Sequence, residues 1–242
     1  MKALKKSPQL IDINGIQIEL HRKSVKSLRL VVYPTGAVRV TVPSAIPDFA
    51  VQAFMLSRMS WVLKQQARFL MLPAPLPQAK FCTGEQHYFQ GNSYSLMVAV
   101  KPGVQRVVIA ASNQLQMSVH ADASTEKREA LVDAFYRSHL ESEIPVLIKK
   151  WQNIMQVQVA DWGIRKMKTR WGSCNIVARR ISLSLALAKY SPACLEYVLV
   201  HEMVHLFERY HNARFYRLMD QFLPQWRELK VELNRSVLDS SL

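Results

Sequence analysis

The chain has 242 residues, 49% hydrophobic and 21% charged, with 32 basic against 18 acidic residues and a formal net charge of +14. That size and balance fit one large or two small globular domains and exclude a fibre or a disordered tail. The basic excess points to a polyanionic partner, nucleic acid included, or to a generally basic solvated surface. Cys82, Cys174 and Cys194 are widely spaced, with no Cys-x-x-Cys pair. They argue against a disulfide scaffold and for a reducing compartment. Residues 1–15 carry Lys2, Lys5 and Lys6 with no apolar run behind them. No stretch approaches the roughly 18 apolar residues of a spanning helix. A cytoplasmic protein without a membrane partner is expected.

Along the chain, Ile11, Ile13, Ile16 and Ile18 flank an Asn14-Gly15 turn, a hairpin signal. Strands are predicted over 28–33 and 37–42, joined by Pro34-Thr35-Gly36. The period turns helical over 47–72, with Phe49, Phe54, Leu56, Met59, Val62, Leu63 and Leu70 among its apolar positions. Pro73, Pro75 and Pro77 end that helix in a stiff connector. Three strands, 94–100, 104–110 and 115–119, follow turn sequences and read as an antiparallel meander. No repeat of about 20–50 residues is visible.

A helix is predicted over 125–152, capped by Ser124 or Thr125, with Pro145 as a kink site. Strand-like stretches follow at 157–174 and 181–188. A better-defined helix starts at the Ser191 cap with Pro192 behind it and runs through Leu206 or beyond. Helical segments at 213–222 and 225–238 are separated by Pro224. The fold class is α+β. A β-rich amino-terminal region (1–122, helix 47–72) precedes a helical carboxy-terminal region with a short sheet (123–242).

The strongest signal is His201-Glu202-Met203-Val204-His205, followed by His211. On a helix, His201 and His205 stand one turn apart and about 40° round the axis, so both imidazoles reach one ion. Catalytic zinc takes three protein ligands and keeps a further position open, and His211 supplies the third. Glu202, next round the helix, is placed to act as general base without ligating the metal. The helix must end between His205 and His211. Asn212, which tolerates the left-handed conformation, is a candidate for that turn. Tyr210, Arg214, Tyr216 and Arg170 are candidates for stabilising an oxyanion. His21, His87, His120 and His139 form no such set.

The stretch Arg170-Trp171-Gly172-Ser173-Cys174, then Ile181-Ser182-Leu183, then residues 197–205 with His211, Asn212 and Phe215, resembles the YgjP-like metal-dependent hydrolase family, itself similar to the SprT-like and M48-type zinc metallopeptidases. Arg22-Lys23-Ser24, Gly36, Gly84-Glu85 and Gly91 with Tyr94 extend the resemblance over roughly residues 10–235, as one family domain. It implies a gluzincin-like or metzincin-like α+β metallopeptidase core, with a Zn2+ or other divalent ion on His201, His205 and His211 and Glu202 as the base. The position three residues after His205 is Glu208 where metzincins have glycine, so a different turn must lead to His211. Some members of the family are described as nucleotide pyrophosphohydrolases acting on UTP.

Cys174 reads as a packing residue, because the clustered histidines are already taken by the metal. Arg170 and Trp171 are candidate substrate contacts. Between Asp161 and Glu196 there is no acidic residue, while Arg165, Lys166, Lys168, Arg170, Arg179, Arg180 and Lys189 all fall there. That interval is either a basic rim for a phosphorylated substrate or an edge strand guarded by charge. Three readings follow. The first is a zinc metallopeptidase that takes a peptide substrate. The second is a nucleoside triphosphate pyrophosphohydrolase acting on UTP. The third is a nucleic-acid-binding module with an accessory zinc site.

Overall fold

The computed structural model describes residues 9–33, 35–70, 79–110, 113–167 and 169–235. Pro34, the Pro73 to Pro77 connector, Ser112, Lys168 and the last helix beyond Arg235 lie outside them. The fold is α+β, and the chain divides into two compact units, residues 1–74 and 75–242.

In the first unit, β1 (Gln9–Ile13), β2 (Ile16–Lys23), β3 (Arg29–Val32) and β4 (Val38–Pro43) form a sheet of order β1-β2-β4-β3. The central β2 and β4 are parallel and each outer strand is antiparallel to its neighbour. Asn14 and Gly15 both take positive φ (54° and 79°), as a tight hairpin turn requires. Alternation in β4 puts Val38, Val40 and Val42 inside, and α1 (Asp48–Leu70) lays Val51, Met55, Met59 and Val62 over them.

The second unit opens with β5 (Gln86–Phe89), β6 (Asn92–Val100), β7 (Arg106–Ala110) and β8 (Gln114–Val119), followed by α2 (Thr125–Met155). The expected antiparallel meander is not formed. The order is β5-β6-β8-β7, with β6 and β8 parallel and β7 displaced to the edge. Burial explains the exchange. Leu115, Met117 and Val119 of β8 are all fully buried, whereas β7 buries only Val107. The more apolar strand takes the interior place. Strand order and strand senses are those of the first unit. Every corresponding element, including the helix that follows, starts 76 or 77 residues later. The repeat is longer than the periods sought in the sequence.

The expected strand 157–174 is two strands, β9 (Asp161–Arg165) and β10 (Gly172–Asn175), at opposite edges of a sheet of order β10-β11-β9. The stretch 181–188 is β11 (Arg180–Ser184) followed by a 3-10 helix (Leu185–Lys189). The carbonyls of Ala188 and Lys189 accept the N–H groups of Gln90 and Gly91, in the β5–β6 turn, at 2.9 and 3.0 Å. Those bonds hold the chain out of the sheet and lead it into α3 (Pro192–Val204). α4 (Ala213–Phe222) and α5 (Trp226–Arg235) complete the unit, and both pack on α3. No described helix is long and apolar enough to cross a membrane.

Candidate metal centre

α3 is buried nearly all round. Cys194, Leu195, residues 197–200, Met203 and Val204 are in the core. A helix apolar on every side belongs inside a domain, and this one is a rigid post. The Ser191 side chain accepts from the Cys194 N–H, and Pro192 opens the first turn. Glu196 ties the post to α2 by accepting from Trp151 Nε1 at 2.8 Å and from Lys150 at 2.6 Å.

His201 and His205 project from the last turn of α3. The helix stops at Val204, slightly earlier than expected, and the chain turns on bonds from the Phe207 and Glu208 N–H groups to the Val204 carbonyl. No residue from 205 to 211 takes a positive φ. Glu208 makes the turn without a glycine. Its carbonyl accepts from His205 Nδ1 at 3.1 Å, and its carboxylate accepts from the Tyr210 N–H at 3.1 Å. Asn212 is extended rather than left-handed and instead caps α4, accepting from the Phe215 N–H at 3.1 Å.

The turn brings His211 back. Ligand atoms of His201, His205 and His211 all lie within 4.8 Å of one another, and the Nε2 atoms of His201 and His211 are 3.0 Å apart. Zinc–nitrogen bonds of 2.0–2.1 Å in a tetrahedron need nitrogens about 3.4 Å apart, so the three imidazoles fit one ion with small adjustments. Protonation favours it too. A carbonyl only accepts, so His205 donates from Nδ1 and Nε2 is the nitrogen left to ligate an ion. Burial, and then repulsion from the neighbouring imidazoles, takes His201 down to about 3. Burial also lowers His211. The Phe215 ring, fully buried, lies 4.6–4.9 Å from all three imidazole centroids and forms the floor beneath them.

Glu202 is 6% exposed and lies against Gly172 of β10. A Cβ on Gly172 would come within 2.7 Å of its Cγ and Oε1, so only glycine leaves room for this carboxylate. Burial pushes Glu202 up to about 8, with Arg170 pulling it down. A divalent cation on the adjacent imidazoles pulls in the same direction as Arg170. Cys174 is pushed up to about 11, first by burial and then by Glu202, so its thiol stays protonated.

These groups line an open cleft of about 560 Å³. Arg170 and Trp171 are on its wall, and Trp171 stands edge-on to Tyr190 with centroids 4.9 Å apart. Of the basic interval, Arg170 alone among the described residues lines the cleft. Lys166 pairs with Glu129 and Asp133, and Arg180 pairs with Asp161. Arg209 and Lys230 supply the other cations there, and the interval did not include them. Tyr197, four residues before His201, also lines the cleft, and burial raises its phenol to about 12. Its place one helical turn before the first histidine was the signal available in the sequence. Tyr210, Arg214 and Tyr216 are not on the wall. Tyr216 is stacked between His211 and Trp226.

No curated protein is similar to the chain at a significant level. A solved structure, the metallopeptidase zymogen of Pyrococcus abyssi abylysin, is similar at 22% identity over 37% of this chain and 90% of that chain, with a TM-score of 0.35. The family described as "YgjP-like, metallopeptidase domain" matches residues 26–236, which span the β10 wall, the histidine helix and the third histidine. The chain belongs to the YgjP-like metallopeptidase family.

Proposed function

We infer that the chain is a zinc peptidase in which His201, His205 and His211 hold the ion and Glu202 is the general base. The observation that supports this best is the convergence of three imidazoles beside one buried carboxylate on the wall of an open cleft. A zinc ion held there supplies Lewis acidity to the carbonyl and to the attacking water. Glu202 takes a proton from that water at a carboxylate oxygen and returns it to the leaving amine nitrogen. Burial favours the protonated form that this return of the proton needs, and Arg170 opposes it. β10 pairs only with β11, so its other edge has no strand partner among the described residues. A substrate main chain adds along that edge, past Trp171 and Gly172.

One observation favours a second reading. Among the described residues, Arg170, Arg209 and Lys230 line the cleft with one carboxylate, Glu202. That imbalance suits an anionic substrate, including the triphosphate of UTP. Zinc-loaded protein is assayed on casein and on each nucleoside triphosphate, beside Glu202→Gln. Casein is cleaved, and the variant loses at least about 10²-fold in kcat while keeping one zinc per chain. Turnover of a nucleotide with none of casein moves the function to the second reading. Full activity of the variant removes Glu202 from the base role.

A further inference from the structure

Three cations on the cleft wall stand without a counterion, although acidic residues adjoin two of them in the chain. Arg170, Arg209 and Lys230 are exposed and come from three separate segments of the second unit: the approach to β10, the turn after α3, and α5. Among the described residues, no carboxylate forms an ion pair with any of them. Glu208 precedes Arg209, yet its carboxylate accepts from the Tyr210 N–H at 3.1 Å and pairs with Arg214 at 4.0 Å. Glu228 and Glu232 flank Lys230 on α5. Two residues are about 200° of helical rotation, so both lie off the face that Lys230, Leu233 and Asn234 turn to the cleft. Glu232 instead accepts from the Ser191 hydroxyl at 2.8 Å. The Tyr210 and Trp226 rings lie 5.6 and 5.7 Å from the Arg209 and Lys230 charges, which steadies them without neutralising them.

The cations do not gather at one point. After burial, Arg170 is the charge that acts on Glu202. After burial and the neighbouring imidazoles, Lys230 is the charge that acts on His201 and His211. One cation therefore stands toward the carboxylate and another toward the histidines. A triphosphate is compact and is held by cations gathered round it. An extended peptide spreads its charges along its length, with side chains on one side about 7 Å apart. Separated cations suit the peptide.

We propose that the cleft selects acidic peptides, in which a carboxylate near the bond to be cut is held by Arg209 and Lys230 toward the histidines or by Arg170 toward Glu202. The proposal rests on the zinc peptidase reading and names its substrate class. The carboxylate belongs to an Asp or Glu side chain or to the end of the peptide, and the recognising chemistry is the same. Attraction acts before contact and speeds encounter. The same field repels a peptide with Lys or Arg near the bond, so selection works in both directions.

The test uses the full chain loaded with zinc and a set of peptides built on one alanine-rich frame. Both ends are blocked, and Glu, Ala or Lys is placed in turn at each central position. At low ionic strength the best Glu peptide exceeds its Lys counterpart at least about tenfold in kcat/KM, and the margin shrinks as salt is added. Arg209→Glu/Lys230→Glu inverts the preference. A ratio of two substrates on one preparation does not depend on how much of the variant is folded. A further arm compares the alanine peptide with a free and with an amidated carboxyl end. A gain from internal Glu assigns the carboxylate to a side chain, and a gain confined to the free end assigns it to the chain terminus. Equal rates for Glu, Ala and Lys and for both ends overturn the proposal and leave the peptidase reading standing. A preference that survives the double charge reversal overturns the assignment to Arg209 and Lys230. Failure to cleave any peptide overturns the peptidase reading and the proposal with it.

Discussion

Gly172 shows how closely the cleft is built around Glu202. Its value is steric, since its φ is not positive and the missing Cβ is the space occupied by the carboxylate. Gly172→Ala must push Glu202 aside or shift β10, an overpacking that costs about 1–3 kcal/mol. Three intact imidazoles leave zinc binding unchanged, while kcat falls at least about tenfold through the displaced base. Zinc stoichiometry and peptidase rates on the same preparation check this. A rate equal to wild type would show that the carboxylate tolerates displacement. The clustering of His201, His205 and His211 was legible in the sequence because holding one small ion would demand that spacing. Gly172 and Phe215 stood in the motif, yet their tasks were not legible, because each depends on which atom of another element comes to lie against it. Arg209 and Lys230 carried no signal of their own. They reach the cleft through the turn after α3 and through α5.

The helices were read nearly to their ends, since caps and prolines mark them locally. Ser124 and Ser191 both cap as expected. The 94–119 meander and the stretch 157–174 were misread because alternation shows which face is buried but not which strand is the neighbour or in which sense it runs. Short connections between 100 and 114 suggested a meander, and the greater burial of β8 overrode them. The junction of His211 with α4 is set by one cap. Asn212 fixes the first turn of α4 and, with it, both His211 and the Phe215 floor. Asn212→Ala removes the cap, at about 0.5–2 kcal/mol. Zinc affinity, measured by competition with a chelating dye, falls several-fold as His211 loosens, while His201 and His205 stay on their post. Unchanged affinity would mean that the turn at Glu208 alone positions His211.

At the scale of the molecule, all residues of the metal centre belong to the second unit, which has its own core and its own sheets. A compact unit with its own core folds alone. Residues 75–242 expressed by themselves should melt cooperatively and bind one zinc ion, as followed by circular dichroism and elemental analysis. A molten fragment without zinc would show that the second unit depends on the first. The two hairpin turns that the repeat sets in correspondence have unequal burdens. Gly15 and Gly91 share the left-handed backbone (φ 79° and 81°), so a side chain is strained at either. Around Gly15, however, an added Cβ meets nothing, whereas at Gly91 it comes within 3.3 Å of the backbone of Ser191, the cap of the histidine helix. The bonds of Gln90 and Gly91 to Ala188 and Lys189 tie the second turn to the segment that leads into the histidine helix. The duplication makes the architecture redundant without making its copies interchangeable, and the second copy has no spare.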